Sequence, residues 1–461
     1  MLTPEELKKP TPEEVEAMNK HLDDLLGIDV RKPGTAASLP AVIRITETLE
    51  PAGGKDFPVF PPSYAGEGTN APPVYDLNGI EWGEVLREKL AKDGTRRFTR
   101  YIKRARHCTM DSPQSHANRT EIAFLDDPAL SGLVPQAEAK IPRKPEFADQ
   151  SNTNLLALPH RVADFRIRAS KQKEGVAAAI KAFAHGDALA LLRLMPTSIL
   201  FGFWDSRAEG YRHKQSRVLL TRIDAFGVVP CEKRSVYTGP YSKDECAAVV
   251  LGSENLAQEL SEYDAKATED DEKAKAGKEA KHWADKMAER GFSNALGSGL
   301  GGVFAERIER LALISLTDIA SIFCVKPREE SEAQNSDAGK KPEPDKDLTN
   351  AARRYLLALA LLAESHPRST GSYRLRSGCE LLPVEKTINL LGSGNDSKEA
   401  DALKALCENR ELLIEVAKTA HDVLKIPTIP GAAVFECTAA SLKDELEQGA
   451  KGKKGKGGGK P

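Results

Sequence analysis

The sequence predicts an α+β fold, and three observations carry that expectation. Strand-like segments at 41–49, 217–229 and 372–383 are interleaved irregularly with helical segments at 11–27, 348–364 and 397–424, which does not suit a doubly wound parallel sheet. No similarity recurs at the periods of solenoids or propellers. The longest apolar run, Tyr355–Ala363, suits a buried helix and falls far short of the roughly 20 residues a membrane span needs. With 461 residues, 40% of them hydrophobic, the chain is long enough for about three domains, or one large domain with insertions.

The first element is a helix. Thr11 stands at N-cap, Pro12 at N1 and Glu14 at N3, a capping box, and Val15, Met18, Leu22 and Leu25 follow at helical spacing before Gly27. Residues 41–49 (AVIRITETL) alternate apolar and polar, which predicts a strand, and 50–74, dense in Pro and Gly, predicts a loop. Residues 81–106 are expected to be helical. They end in 96–106 (RRFTRYIKRAR), which holds six Lys or Arg, two aromatics and no acid. Asp111-Ser112-Pro113 marks another helix start, with Ser at N-cap and Pro at N1. Residues 174–195 predict two helical pieces, Gly186 closing the first and Asp187 capping the second. Pro196–Trp204 reads as an apolar strand running into a Trp-Asp-Ser turn, and 217–229 as a buried strand.

The chain divides into an N-terminal helix (1–28), a first core part (29–263), a charged insertion (264–290), a second core part (291–448) and a Lys-Gly tail (449–461). The 264–290 stretch, rich in Ala, Lys and Glu, is a solvated helix or a flexible insertion. Residues 326–348 and the tail hold too few apolar side chains to bury a core and are expected to be disordered.

Composition excludes several classes. The seven Cys are an odd number with no C-x-x-C pair, which argues against a disulfide scaffold or zinc ribbon and fits a reducing cytoplasm. No export signal is visible at the start. The nine His form no H-x-x-x-H pair and there is no G-x-S-x-G elbow, so no metal, cofactor or serine-hydrolase motif is expected. Basic and acidic residues number 66 and 68, a net charge of -2; any polyanion surface must come from local segregation of charge.

The densest polar cluster is 111–119 (DSPQSHANR). On a helix beginning after Ser112, residues 112, 115 and 119 share a face and 114 and 118 the neighbouring one. Ser112, Gln114, Ser115, Asn118 and Arg119 would then form a polar patch beside a helix N-terminus, where free N–H groups hold phosphates. A capped surface helix whose Arg pairs with an acid is the plainer alternative. In 158–168 (LPHRVADFRIR), His160 and Asp164 stand four apart, more often a cap or structural hydrogen bond than an acid–base pair. The basic residues Arg161, Arg166, Arg168 and Lys171, together with 96–106, could supply positive surface for a phosphate backbone. Phe203 and Trp204 could stack on bases, although core packing is the commoner fate. Gly297–Gly302, with Gly297, Gly299, Gly301 and Gly302, lacks a Walker ending. A close approach to a polyanion or a simple turn remains for it.

Taken in order, DSPQSHANRTE, LPHRVAD, PTSILFGFWDS, SRVLLTRIDA, the Gly301-Gly302-Val303 step and YRLRSGCELLP resemble the backbone subunit of the type I-G (formerly I-U) CRISPR surveillance complex, the Cas-seven group of the RAMP superfamily, over about residues 40 to 385. The resemblance implies a modified RRM-like (ferredoxin-like) palm with finger and thumb insertions. It also implies a non-catalytic role: copies stacked head to tail along a crRNA in a Cascade complex, gripping the RNA backbone while the bases pair with target DNA. Other copies of itself and other Cascade subunits are the implied partners, without a membrane. Carried onto this chain, Ser112–Arg119, His160, Arg161 and Gly297–Gly302 are the implied RNA contacts. Two alternatives stand beside it. One is an RNA endonuclease of the type III backbone kind, using Asp111 or Asp164 with His116 or His160 as base and acid. The other is a free-standing scaffold or adaptor that touches nucleic acid through its Lys-Gly tail.

Overall fold

The computed structural model describes residues 9–27, 40–67, 73–90, 96–141, 152–205, 213–237, 295–326, 343–369, 371–392, 398–427 and 433–443. The expected insertion 264–290, the tail 449–461 and most of 326–348 lie outside them.

In chain order the strands are β1 (Pro40–Pro51), β2 (Ser63–Tyr64), β3 (Val74–Tyr75), β4 (Leu77–Leu90), β5 (Arg96–Asp111), β6 (Ala137–Lys140), β7 (Asn152–Asn154), β8 (Phe203–Asp205), β9 (His213–Gln215), β10 (Leu219–Tyr237), β11 (Ala295–Ser315), β12 (Tyr373–Arg376), β13 (Cys379–Gly392) and β14 (Ala433–Glu436). The helices are α1 (Pro12–Leu26), α2 (Pro113–Glu121), α3 (Ala123–Asp126), α4 (Phe165–Arg168), α5 (Lys173–Ala184), α6 (Leu189–Leu194), α7 (Pro196–Phe201), α8 (Leu316–Ala320), α9 (Lys346–Ser369), α10 (Lys398–Leu406) and α11 (Arg410–Leu424).

Seven strands pair in the order β12-β13-β1-β11-β10-β5-β4, each antiparallel to its neighbours. The α+β expectation therefore stands. Within this sheet β13-β1-β11-β10 are the fourth, first, third and second of four strands, with helices bridging the first to the second and the third to the fourth. The β4–β5 hairpin extends the sheet beyond β10.

Alternation decides which face is buried. On β1, Ile43, Ile45, Glu47 and Leu49 are buried, while Arg44 between them is exposed. Ile43 pairs with Ile314 and Leu390, and Ile45 with Ala312, so one apolar stripe crosses three strands. The helices cover this face. Every residue of α9 from Tyr355 to Ala363 is buried, so the longest apolar run is the central core helix. No helix among the described residues is long and apolar enough to cross a membrane.

The β12–β13 hairpin turns at Gly378 (φ 76°), and β12 folds back over the helix side of the sheet. The first strand of the pairing order thus meets the sixth. Arg376 of β12 donates to Met110 O at the end of β5, and Tyr373, Leu375, Cys108 and Met110 share a second core. This closure places the start of α2 against β12.

Several local expectations need correction. Residues 81–106 are a β-hairpin, β4 and β5, and not a helix. The apolar Pro196–Phe201 is a helix, opened by Pro at its first position, and Gly202 (φ 77°) turns the chain into a short strand. Residues 372–383 are two strands joined by a turn, and 397–424 are two helices separated by Asn409, whose side chain accepts from Leu412 N at 3.0 Å. The glycine run 297–302 is part of β11 and not a loop. Gly302 does lie close to another backbone, but to that of this same chain: its N–H donates to the Tyr75 hydroxyl at 2.9 Å, and a Cβ there would meet Val59 O at 2.9 Å.

Candidate nucleic-acid interface

α2 begins as its sequence predicts. The Ser112 hydroxyl accepts from Ser115 N at 3.3 Å and Pro113 occupies the first turn. The helix buries Ala117 and Thr120 and leaves Gln114, Asn118 and Arg119 exposed, with Ser112 and Ser115 half-buried.

Beneath this polar face runs a buried ionic chain. Arg310, fully buried on β11, donates to Glu364 Oε1 at 2.6 Å and to Glu364 O at 2.9 Å, and reaches Glu47 Oε2 at 3.2 Å. Tyr373 donates to the same Glu47 oxygen. Burial opposes the charge of Arg310, but Tyr373, Glu364 and Glu47 hold it firmly protonated. Arg310 Nε donates to His116 Nε2 at 3.3 Å, which leaves the ring proton on Nδ1, facing Asp111 Oδ2 at 2.9 Å. Burial and the neighbouring Arg310 keep His116 neutral, its pKa below the ordinary value, even though Asp111 pulls the other way. Burial works against ionised Asp111 as well, yet hydrogen bonds from His116 and Ser115 and the charge of Arg119 hold its carboxyl below the usual range. Arg119 ends the chain at the surface, 3.3 Å from Asp111 Oδ2 and donating to Leu375 O at 2.9 Å.

The chain thus fixes one exposed arginine beside the α2 N-terminus, and β12 adds an exposed one, Arg374, and a half-buried one, Arg376. The Tyr373-Arg374-Leu375-Arg376 alternation buries Tyr373 and Leu375 and turns Arg374 outward. Arg376 donates to the carbonyls of Phe60 and Met110, both at 2.9 Å, so no carboxylate neutralises it in these bonds. Tyr64 of β2 is exposed; burial of its hydroxyl and the charge of Asp76 push its pKa up, while Arg376 pulls it down and Asp111 adds to the rise. Arg119, Tyr64 and Arg376 therefore come together from three separate parts of the chain, with Gln114 and Asn118 exposed on α2 and Arg374 exposed on β12 opposite Glu380. Tyr64, Arg374 and Arg376 were not singled out as site residues by the sequence. The Tyr-Arg-Leu-Arg alternation was visible there, but not that β12 folds back onto α2.

The 158–168 segment is differently used. Arg161 is 5% exposed, with φ 51°; its Nε donates to Glu121 Oε2 at 2.9 Å and its Nη1 to Gly202 O at 3.2 Å. Burial pushes the Glu121 carboxyl up to about 7 against the pull of Arg161. Arg168 donates to Asp205 Oδ1 at 3.0 Å, and Arg166 stands 3.9 Å from Asp164 Oδ1. His160 is exposed. Asp164 caps α4 by accepting from Arg166 N at 3.0 Å. Asp111, Asp164 and His116, three of the four residues an endonuclease would draw on, are thus buried and hydrogen-bonded inside the protein. The Glu121–Arg161 pair joins this segment to the C-terminal end of α2. Of the glycine run only its end is tied to Val59 and Tyr75: Gly302 bonds Tyr75 and the next residue, Val303, bridges Val59, while 297–300 pair with β10 beyond Val229.

Among the described residues no group of three or more His, Cys, Asp and Glu could hold a metal ion. Residues 43–230 match the model of a family described as CRISPR-associated protein GSU0053 (Cas_GSU0053). The matched segment runs from β1 into β10 and contains α2, 158–168 and the β8–β9 hairpin. It is similar to a CRISPR-associated family, which points to a role in CRISPR defence. No curated protein matches the chain.

Proposed function

On the strength of that similarity, we propose that the protein is a non-catalytic crRNA-binding backbone subunit of a Cascade-type complex, of the type I-G kind, which stacks in several copies along the guide and presents it to target DNA. The observation that carries the proposal is the meeting of Arg119 and Arg376 with Tyr64 beside the N-terminus of α2, with Arg374 exposed on the same strand as Arg376. The helix offers the N–H of Gln114, since Pro113 has none and that of Ser115 is held by Ser112; the arginines offer charge and the amide side chains neutral hydrogen bonds, and a ribose-phosphate chain uses all three. The 4-1-3-2 order of β13, β1, β11 and β10, with helices on one face, supports an RRM-like palm in which the β4–β5 hairpin is an insertion.

The test is binding of single-stranded RNA by the purified protein, alone and with its partner subunits. Expected is copurifying RNA, affinity that falls steeply with salt through counterion release, and indifference to spacer sequence. A monomer that carries no RNA and gains no binding at low salt overturns the proposal.

A further inference from the structure

The β8–β9 hairpin presents a tryptophan that nothing in the fold requires. Phe203 and Asp205 face inward, and Trp204 between them is 65% exposed. Directly across the hairpin stands Lys214, exposed and without an ion pair or hydrogen bond among the described residues. The strand beneath the indole is held at both ends by arginine. Arg161 Nη1 bonds Gly202 O, and Arg168 Nη1 bonds Asp205 Oδ1 at 3.0 Å. Gly202 sits at φ 77°, and a Cβ there would meet Gln215 O at 2.8 Å, so the turn that aims Trp204 is itself closely packed. Arg217 packs against Gly202, and its buried Nε lacks a hydrogen-bond partner.

We propose that Trp204 is a stacking platform for a base of single-stranded RNA, with Lys214 meeting the adjoining phosphate. The proposal rests on the RNA-binding function above and adds a contact to the base faces at a second place. Two considerations favour RNA over a protein partner. A protein anchor is ringed by further apolar surface that excludes water, whereas among the described residues no other exposed large apolar side chain lies on this hairpin. A lone indole beside an unpaired cation suits a flat base attached to a phosphate. The placement also continues the α2 surface. Arg161 grips Glu121 at the C-terminal end of α2 and Gly202 at the root of the hairpin, so one guanidinium sets both surfaces in register. The nine residues of α2 separate its N-terminus from that point by about 13 Å.

The experiment titrates the full-length protein with a fluorescein-labelled single-stranded RNA homopolymer, reading RNA anisotropy and tryptophan fluorescence together. Expected is quenching in the wild type, no such quenching but near-wild-type affinity in Trp204→Phe, and about tenfold weaker binding in Trp204→Ala, in the range stacking on one base contributes. Thermal unfolding of both variants should match the wild type, because the ring is exposed. Anisotropy that rises normally in Trp204→Ala, with no quenching in the wild type, overturns the stacking role and leaves RNA binding elsewhere intact. A change in self-association of Trp204→Ala in the absence of RNA, with RNA affinity unaltered, assigns the indole to a protein contact and also overturns it. No anisotropy change in the wild type removes both this role and the RNA-binding function.

Discussion

Segments 111–121 and 158–168 hold similar polar side chains and meet in space, yet the fold uses them in opposite ways. In 158–168 each arginine faces a carboxylate: Arg161 faces Glu121, Arg166 faces Asp164 and Arg168 faces Asp205. In 111–121 one carboxylate, Asp111, is shared between His116 and Arg119, and the outer helix face stays open. A count of basic residues therefore does not give a cationic surface. What gives one is the set of cations the fold leaves without an ion pair, here Arg376, whose bonds go to backbone carbonyls beside α2, and the exposed Arg374 two residues before it. If this contrast is correct, arginines of the first kind report on stability and those of the second on RNA.

The largest effect should come from Arg161→Ala. Removing the guanidinium leaves Glu121 buried and unpaired, which costs about 3–5 kcal/mol. The cost should depend on pH. In the wild type the Glu121 carboxyl ionises above about 7 with Arg161 supporting the charge; without Arg161 it holds its proton to higher pH, so the loss is smaller below about 7 and grows as pH rises above it. Thermal unfolding of the variant at pH 8 and pH 6 checks this. Equal losses at both pH values, or a stable variant with impaired RNA binding, would break the contrast.

The two ends of α2 should also respond to pH with opposite sign. The Glu121 carboxyl is raised above its ordinary 4.5 to about 7, so its contribution is present below 4.5 and fades as pH rises through about 7. His116 and Asp111 are lowered, so their contributions are present above the ordinary values of 6.5 and 3.8 and fade as pH falls through the depressed ones. Glu121→Gln should flatten the alkaline side of a plot of melting temperature against pH, and His116→Gln the acid side, each by a few degrees. Superimposable profiles for the wild type and both variants would show that neither group titrates with folding.

How much of this was legible in the sequence follows from the distances involved. The caps of α1 and α2 were legible because Thr11-Glu14 and Ser112-Pro113 act within one turn. The strands β1 and β10 were legible from alternation and apolar runs. The 81–106 hairpin was misassigned because Glu, Lys, Arg and Leu are good helix formers. The signal passed over there was Asp93-Gly94, a turn pair lying in the five-residue connection between Leu90 and Arg96, which pair. Arg161 was offered to RNA because its partner, Glu121, lies 40 residues earlier and is brought to it only by tertiary packing. The contribution of β12 was hidden for the same reason: Arg119 and Leu375 are 256 residues apart.

Arg119→Ala should have a mixed, middle-sized effect. The side chain is partly exposed and ties Asp111 to Leu375 O, so its loss should lower stability by about 1 kcal/mol, the worth of an ordinary hydrogen bond. RNA affinity should fall about tenfold and equally for every spacer sequence, because a phosphate contact carries no base information. Filter binding with two unrelated guides measures this, and a loss confined to one guide would move Arg119 from backbone grip to base reading.

Arg374→Ala should change stability least and so isolates the surface role most cleanly. Its neighbours Tyr373 and Leu375 keep β12 in place from the other face, and among the described residues Arg374 makes no side-chain hydrogen bond or ion pair. A surface substitution of this kind is usually within about 0.5 kcal/mol of neutral. If the guanidinium meets a phosphate, the slope of log affinity against log salt should become shallower by about 1, with the variant converging on the wild type at high salt. Arg168→Ala provides the contrasting control: Asp205 already neutralises that arginine, so the variant should melt earlier and keep the wild-type salt slope. The opposite pairing, a shallower slope for Arg168→Ala and an unchanged one for Arg374→Ala, would place the RNA along 158–168 and reverse the roles assigned to the two segments.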